Sequence, residues 1–484
     1  MAYQFKTPPL AHQLADFEAT RDLEAWGHFH EQGTGKAKIG VDTCAALYQS
    51  GQIDGVLVIA PNGVHRNWVT DEIVKHCPDE VSPSSLAYYA SRAGTRAQAR
   101  AGEELLAHRG LAWLAMTYDG VMTPQGRALA RAFLNKRRCL MCLDEAHKIK
   151  NPAAHRTKAI RAAVPLARYR RIMSGTPVAN SPFDVYAPVL FLDPNFWVRE
   201  LGIHTFLTFQ HEFGVFGTRS AGPGGRKEQF VEGYKHLDVL HATLAKISSR
   251  VLKEDVLDLP PKVYTKRYFE MDPDQAKFYK SLRDEYVARF DSGEECTAMM
   301  AMTRLLRLQQ VTSGYVPSDD DKVLRPVGRV NRRLKLLEEV VEDFPGQKIV
   351  WCRFQQDVAQ VCALFGDRAR RADGVATDRE RDRALDDFHA GRAEMLVSNP
   401  ATTGISTGLT LNEAKTIVYY NCSYSYVDRV QSEDRCHRIG QDQSPSYVDF
   451  VAEDSVDERV IDALISKHGT AAEVNGDRLR EWLR

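Results

Sequence analysis

Cys139-Leu140-Met141-Cys142-Leu143-Asp144-Glu145-Ala146-His147 runs five apolar residues without interruption into two carboxylates. Five apolar residues with no polar alternation suit a strand buried on both faces, as in a parallel sheet covered by helices. The end of the run matters most. In open α/β sheets the carboxyl edge of the strands meets ligands, and Asp144 and Glu145 stand there. Cys139 and Cys142 have C-x-x-C spacing, but no second pair or histidine cluster completes a metal site, so both thiols are read as strand packing.

Similar short runs recur at 56–60, 111–116, 348–352, 395–397, 416–420 and 447–451, with helix-like segments such as 96–107, 333–341 and 380–389 between them. Alternating strands and helices predict an α/β fold with parallel sheets. The strands fall into two series separated by residues 173–348, where helical patterns dominate and turn clusters at 221–225 and 317–321 interrupt. The expected organisation is a first lobe over 1–249 with a helical insertion at about 183–249, a linker at 250–262, a helical insertion over 263–328, and a second lobe over 329–484 ending in a short helical tail. Leu259-Pro260-Pro261 is the hinge candidate, because each proline biases the residue before it away from helix.

The 484 residues exceed what one hydrophobic core supports, in keeping with more than one domain. An apolar fraction of 43% and a charged fraction of 26% belong to a globular chain, which excludes disorder and collagen-like repeats. Lys plus Arg and Asp plus Glu both number 64, so net charge gives no argument for a nucleic-acid partner and any such claim must rest on local motifs. Nine scattered cysteines indicate reduced thiols. The opening MAYQFKTPPL has no apolar signal core and no stretch reaches membrane-spanning length, so a cytoplasmic protein without a membrane partner is expected.

Upstream, His30-Glu31-Gln32-Gly33-Thr34-Gly35-Lys36-Ala37 precedes a helical segment at 38–48. Glycines let backbone amides converge on phosphate oxygens, Lys36 supplies a cation, and the helix N-terminus adds its dipole. The pattern G-x-x-x-x-G-K-[ST] is not fully met: His30 replaces the first glycine and Ala37 the hydroxyl residue that would contact Mg²⁺. The carboxylates complete the chemistry, Asp144 suited to the magnesium shell and Glu145 to orienting or deprotonating an attacking water.

Taken together these segments resemble the Swi/Snf family of superfamily-two helicase-like ATPases, from Gln13 to about Glu458. The resemblance implies two RecA-like lobes that bind ATP and Mg²⁺ between them. Leu10-Ala11-His12-Gln13 is similar to the Q motif, with Gln13 placed to read adenine; Gly33, Thr34, Gly35, Lys36 and Ala37 would line the nucleotide. The run 56–61 followed by Asn67-Trp68 resembles motif Ia, which faces the DNA backbone in this family, and Thr117-Tyr118 the next DNA-facing element. Ser174-Gly175-Thr176-Pro177 with Asn180 is similar to motif III, which couples the nucleotide and DNA sites. Arg250, Lys253, Leu259, Pro260 and Lys262 match the family's linker, and Gln431, Asp434-Arg435 and His437-Arg438-Ile439-Gly440-Gln441 resemble motif VI. Arg435 and Arg438 would then act as arginine fingers across the cleft. The loop 398–411 follows motif V only loosely.

The activity implied is ATP-driven, sequence-independent translocation along double-stranded DNA, in replication, recombination or repair. Contacts to phosphates would come from cations such as Arg66, Lys148, Lys150 and Arg353. A compact chain rich in Ala and Arg suits a bacterial or bacteriophage source, with the protein on the nucleoid beside other replication or recombination proteins. Alternatives stay open. A strand-separating DNA or RNA helicase shares the core, a restriction-type motor would work with a separate nuclease, and Ala37 leaves room for a DNA-binding scaffold with a weakened nucleotide site.

Overall fold

The computed structural model describes residues 3–220, 227–291, 298–318, 323–403 and 411–475. Two parallel sheets organise it. In the first, β1 (Ala25–His28), β2 (Gly55–Ala60), β3 (Ser84–Tyr88), β4 (Ala112–Thr117), β5 (Cys139–Asp144) and β6 (Tyr169–Met173) are joined by the short β9 (Ser248–Ser249) in the order β3-β4-β2-β5-β6-β1-β9. A separate antiparallel hairpin, β7 (Gly214–Ser220) with β8 (Lys227–Tyr234), lies among the helices that follow. The second sheet takes β10 (Val263–Phe269), β13 (Lys348–Trp351), β14 (Ala369–Arg371), β15 (Met395–Ser398), β16 (Thr416–Tyr419) and β17 (Ser446–Ala452) in the order β10-β17-β16-β13-β15-β14. A small pair, β11 (Tyr315–Pro317) with β12 (Leu324–Pro326), sits between the two series.

The uninterrupted apolar runs have a simple cause. Along β5, Cys139, Met141 and Leu143 face one hydrophobic cluster while Leu140 and Cys142 face the other. In the second sheet, Val350 and Val418 point into one cluster and Ile349, Trp351, Ile417 and Tyr419 into its opposite. Each strand is buried on both faces, so alternation disappears. The same geometry settles the C-x-x-C spacing: residues three apart on a strand point to opposite faces, and Cys139 and Cys142 are both buried free thiols.

Several strands were not legible, each for an identifiable reason. β6 carries Arg170 and Arg171, yet Arg171 is buried, its guanidinium donating to Thr20 O at 2.9 Å and Arg21 O at 3.2 Å, the carbonyl end of the helix Ala11–Thr20. Segment 263–328, expected to be helical, opens on the edge strand β10, which among the described residues pairs only with β17 and keeps Val263, Lys266 and Tyr268 exposed. Exposed, charged edge residues are what masked it. The insertion expected at about 183–249 contains the β7–β8 hairpin besides its helices. The turn cluster at 221–225 lies outside the described residues.

The final helix, Val456–Asn475, is no free tail. Its Val460, Leu464, Ala471 and Val474 join the core cluster of the first lobe together with Leu237, Leu240 and Leu244. At its start Asp457 pairs with the buried Arg333 of the second lobe.

Leu143 is fully buried at the end of β5. Leu143→Ala is expected to cost about 2–5 kcal/mol, read as a lower urea midpoint for the tryptophan-reported unfolding transition.

Candidate nucleotide site between the two sheets

Three loops leave neighbouring strands of the first sheet at one edge. β1 leads to the glycine loop, β5 to Asp144 and Glu145, and β6 to Ser174-Gly175-Thr176. Because β5, β6 and β1 are adjacent, their loops must converge.

Gly33 and Gly35 have φ of 84° and 85°, a region side chains rarely enter, and the helix Lys36–Gln49 begins directly after Gly35 without a side-chain cap. Its first amides are therefore open to an anion. The Lys36 ammonium donates to the carbonyls of His30 (2.8 Å) and Glu31 (3.0 Å). Burial pushes its pKa down, and the charges of Glu145 and Asp144 partly offset this. Thr34 is buried, with its hydroxyl on Glu31 O at 2.8 Å, and the Ala37 methyl packs on the core. Gln13 is buried against the loop, accepting from Leu10 N and donating to Thr34 O, each at 3.0 Å.

His30, the departure at the first glycine position, faces away from the loop's concave side. Its Nε2 lies 3.0 Å from Ser249 Oγ and 3.5 Å from Asp16 Oδ2, while His28 Nδ1 is 2.6 Å from the same carboxylate. Burial, reinforced by His28, pushes His30 down to about 3, which leaves it neutral. This cluster joins the Gln13 helix to the base of the loop.

At the β5 edge, Glu145 adopts φ 56° and its amide donates to Met173 O at 2.8 Å. Asp144 Oδ2 accepts from Trp68 Nε1 at 2.9 Å and its carbonyl from Tyr118 Oη at 2.9 Å. Burial and the charge of Glu145 push the Asp144 carboxyl up to about 6. Glu145 goes the other way: burial raises it, but His147 beside it, then Lys36 and Lys148, outweigh burial and hold it below its ordinary value. His147 Nδ1 lies 3.2 Å from Oε2, and Gln32 Nε2 donates to Oε1 at 3.1 Å.

Some expected roles change here. Trp68 is 2% exposed and stacks near Trp113 at 6.3 Å between ring centroids, so it supports Asp144 and cannot face a DNA backbone. Thr117 and Tyr118 are likewise buried. Asn67 next to Trp68 is half-buried. Arg353 donates to Gln309, places its guanidinium 5.4 Å from the Phe354 ring, and points inward; Lys150 lies 3.5 Å from Asp184. Ser174 and Thr176 are buried, Ser174 Oγ accepting from Thr176 N at 3.3 Å. The centre of the loose motif V, residues 404–410, lies outside the described residues.

The second sheet completes the cleft through the helix Tyr426–Glu433, which carries the buried Gln431, and the turn after it. Arg438 Nε donates to Asp434 O at 3.0 Å, and its Cγ lies 3.6 Å from where a Cβ on Gly33 would sit. Burial and the neighbouring Arg438 push buried Arg435 down to about 9, while the charges of Asp434 and Glu145 draw it back up. The linker straps the halves together. Arg250 donates to Phe29 O (2.6 Å) and Gly175 O (3.2 Å). Lys253 N donates to Glu31 Oε2 and Lys253 Nζ to Asp434 Oδ1, both at 2.7 Å. Lys262 Nζ and Tyr264 Oη reach Glu433 Oε2 at 2.9 and 2.7 Å, and His437 Nε2 lies 2.9 Å from Pro260 O.

Sequence reasoning missed Gln32 and His147 as neighbours of Glu145, and Trp68 as the donor to Asp144. The signal for Gln32 was present: a polar residue inside a loop that folding must bury. Lys253 sits in a buried ion pair, so Lys253→Met removes the nearer of two ammonium partners of Asp434, leaving Lys262 at 3.6 Å, and is expected to cost about 1.5–3 kcal/mol. Differential scanning calorimetry should show it, with the two lobes melting less cooperatively than in the parent.

Comparison with known proteins places the chain in a family. The SNF2-related domain family matches residues 28–314, and the helicase conserved C-terminal domain matches residues 332–440. The ISWI chromatin-remodeling complex ATPase CHR11 of Arabidopsis thaliana is 25% identical over 481 residues, covering 94% of this chain and 42% of its own length. The transcription regulatory protein SNF2 of Saccharomyces cerevisiae is 25% identical over 465 residues, covering 90% of this chain and 26% of its own. The chain thus spans about two fifths or less of these relatives. Among solved structures, a Sulfolobus solfataricus SWI2/SNF2 ATPase core in complex with dsDNA aligns over 97% of this chain and 95% of its own, at 20% identity and a TM-score of 0.41. With more than half its length matched, the chain belongs to the SNF2-related family of helicase-like ATPases.

Proposed function

We propose that the chain hydrolyses ATP between its two lobes and uses the cycle to translocate along double-stranded DNA, in replication, recombination or repair. One observation carries the reading: groups from both sheets meet at one phosphate loop, Arg438 against Gly33 and Arg435 within the field of Glu145. Arginines supplied by the opposite lobe stabilise a transferring phosphoryl group only when the cleft is closed, which links hydrolysis to lobe movement. Lys36 would bind the terminal phosphates, Glu145 would orient and deprotonate water, and Gln13 would read adenine. Ser174, Thr176 and Gln431 would couple the nucleotide cleft to the DNA face, with half-buried Asn67 on that face. Exposed Arg66 and partly exposed Lys148 remain candidates for phosphate contacts. No helix among the described residues is long and apolar enough to cross a membrane.

The residues fit a magnesium ion. Two carboxylates stand half-buried at one strand end, and desolvation together with the charge of Glu145 pushes Asp144 up, a cost that a cation held there would offset. Asp144 would hold the ion, which would neutralise charge on the phosphates; Ala37 offers no oxygen, so water would take that place.

Duplex DNA is expected to stimulate steady-state hydrolysis more than single-stranded DNA or RNA. Glu145→Gln should lower the stimulated rate by about a hundredfold or more, and Arg438→Ala by about a thousandfold. Displacement of a triplex-forming strand then reports translocation. Hydrolysis no higher than Glu145→Gln under every nucleic acid would leave a DNA-binding scaffold. A second expectation concerns pH. The Asp144 carboxyl is held at about 6, so a proton competes with Mg²⁺ below that value. The Mg²⁺ concentration for half-maximal nucleotide binding should rise as pH falls through 6 and stay level above 7.

A further inference from the structure

Gln32 is 7% exposed and wedged between the phosphate loop and the Ser174-Gly175-Thr176 turn, so close that a Cβ on Gly175 would come within 2.9 Å of its Cγ. Its Nε2 donates to Glu145 Oε1 at 3.1 Å. A carboxylate accepts and does not donate, which fixes the amide: the NH₂ must face Glu145 and the carbonyl oxygen must turn away. That oxygen, Oε1, is buried and has no hydrogen-bond partner among the described residues. An orphan acceptor of this kind is destabilising unless a group outside the protein supplies the missing partner.

We propose that Gln32 holds the attacking water together with Glu145, its Oε1 accepting one hydrogen of the water while its Nε2 keeps Glu145 in place to take the other. This rests on the hydrolysis reading above and names a further group in it. The water oxygen forms a bond to the γ-phosphorus and the bond from that phosphorus to the β–γ bridging oxygen breaks, its electron pair leaving with ADP. The released proton passes to Glu145; Gln32 neither gains nor loses one. Two fixed contacts restrict the water to one orientation, which a lone carboxylate beside a left-handed backbone turn does not.

Gln32→Met keeps the volume and removes both contacts. In the full chain with duplex DNA, kcat should fall about 10- to 100-fold while KM for ATP and the affinity for ADP stay at parent values. The decisive readout is analogue binding. ADP with beryllium fluoride mimics the bound γ-phosphate, and ADP with aluminium fluoride mimics phosphoryl transfer with its in-line water. Gln32→Met should bind the first as the parent does and the second about tenfold or more weakly. Gln32→Glu keeps an acceptor but sets a second carboxylate against Glu145, and should be impaired at least as much. Parent-like turnover in Gln32→Met, or equal weakening of both analogues, would overturn the proposal while leaving the ATPase reading intact. A parent chain that hydrolyses no faster than Glu145→Gln would overturn both.

Discussion

Two half-buried carboxylates side by side at the end of β5 repel each other, and much of the cleft is arranged around that repulsion. Unit charges about 4 Å apart at an effective dielectric constant of about 20 interact by about 4 kcal/mol, a sizeable fraction of a domain's stability. Asp144 takes the upward pKa shift and is held by the Trp68 indole; Glu145 is kept ionised by His147, Lys36 and Lys148. The two acids therefore have different proton affinities, Asp144 the higher and Glu145 the lower. Trp113, Tyr118 and the turn backbone at Glu145 support that division.

Between the lobes the same logic repeats with opposite charges. Burial pushes the Glu433 carboxyl up, but Lys262 and Arg429 outweigh it and hold the carboxyl at about 2. Burial pushes Lys253 down to about 8, with Asp434 drawing it back up. Each of these ions would be costly alone and is tolerated because its partner comes from the facing segment. The linker thus reads the position of the second lobe through paired charges, and its first residues continue into the phosphate loop through backbone bonds from Phe29 and Glu31 to Ser249 and Val251.

The central strands were legible because burial on both faces removes alternation and leaves a plain apolar run, as in β2, β5 and β13. The edge strands β3, β10 and β14 were not, since a strand with one neighbour keeps polar residues that blur the pattern. β6 was hidden by Arg171, whose guanidinium finds acceptors at a helix end about 150 residues earlier. In the candidate site, Lys36, Asp144 and Glu145 could be singled out from the chemistry of a glycine loop and a strand end, whereas Arg435 and Arg438 were named only through the resemblance to motif VI. Trp68 was named for the wrong neighbour: the indole's direction depends on packing against Trp113, which spacing does not encode. Gln32 and His147 were missed for the same reason, being defined by the side chain they touch.

The helix Val456–Asn475 begins in the second lobe, where Asp457 meets Arg333, and ends in the core of the first, with His241 Nδ1 3.1 Å from Val474 O. One rigid rod seated in both halves sets a mechanical limit: the halves cannot separate as free bodies, and any opening of the cleft must swing about this crossbar or pull it out of its socket. Strain produced where nucleotide binds accordingly has a second load path, away from the cleft, into the helix Leu237–Leu244 that grips the rod's far end.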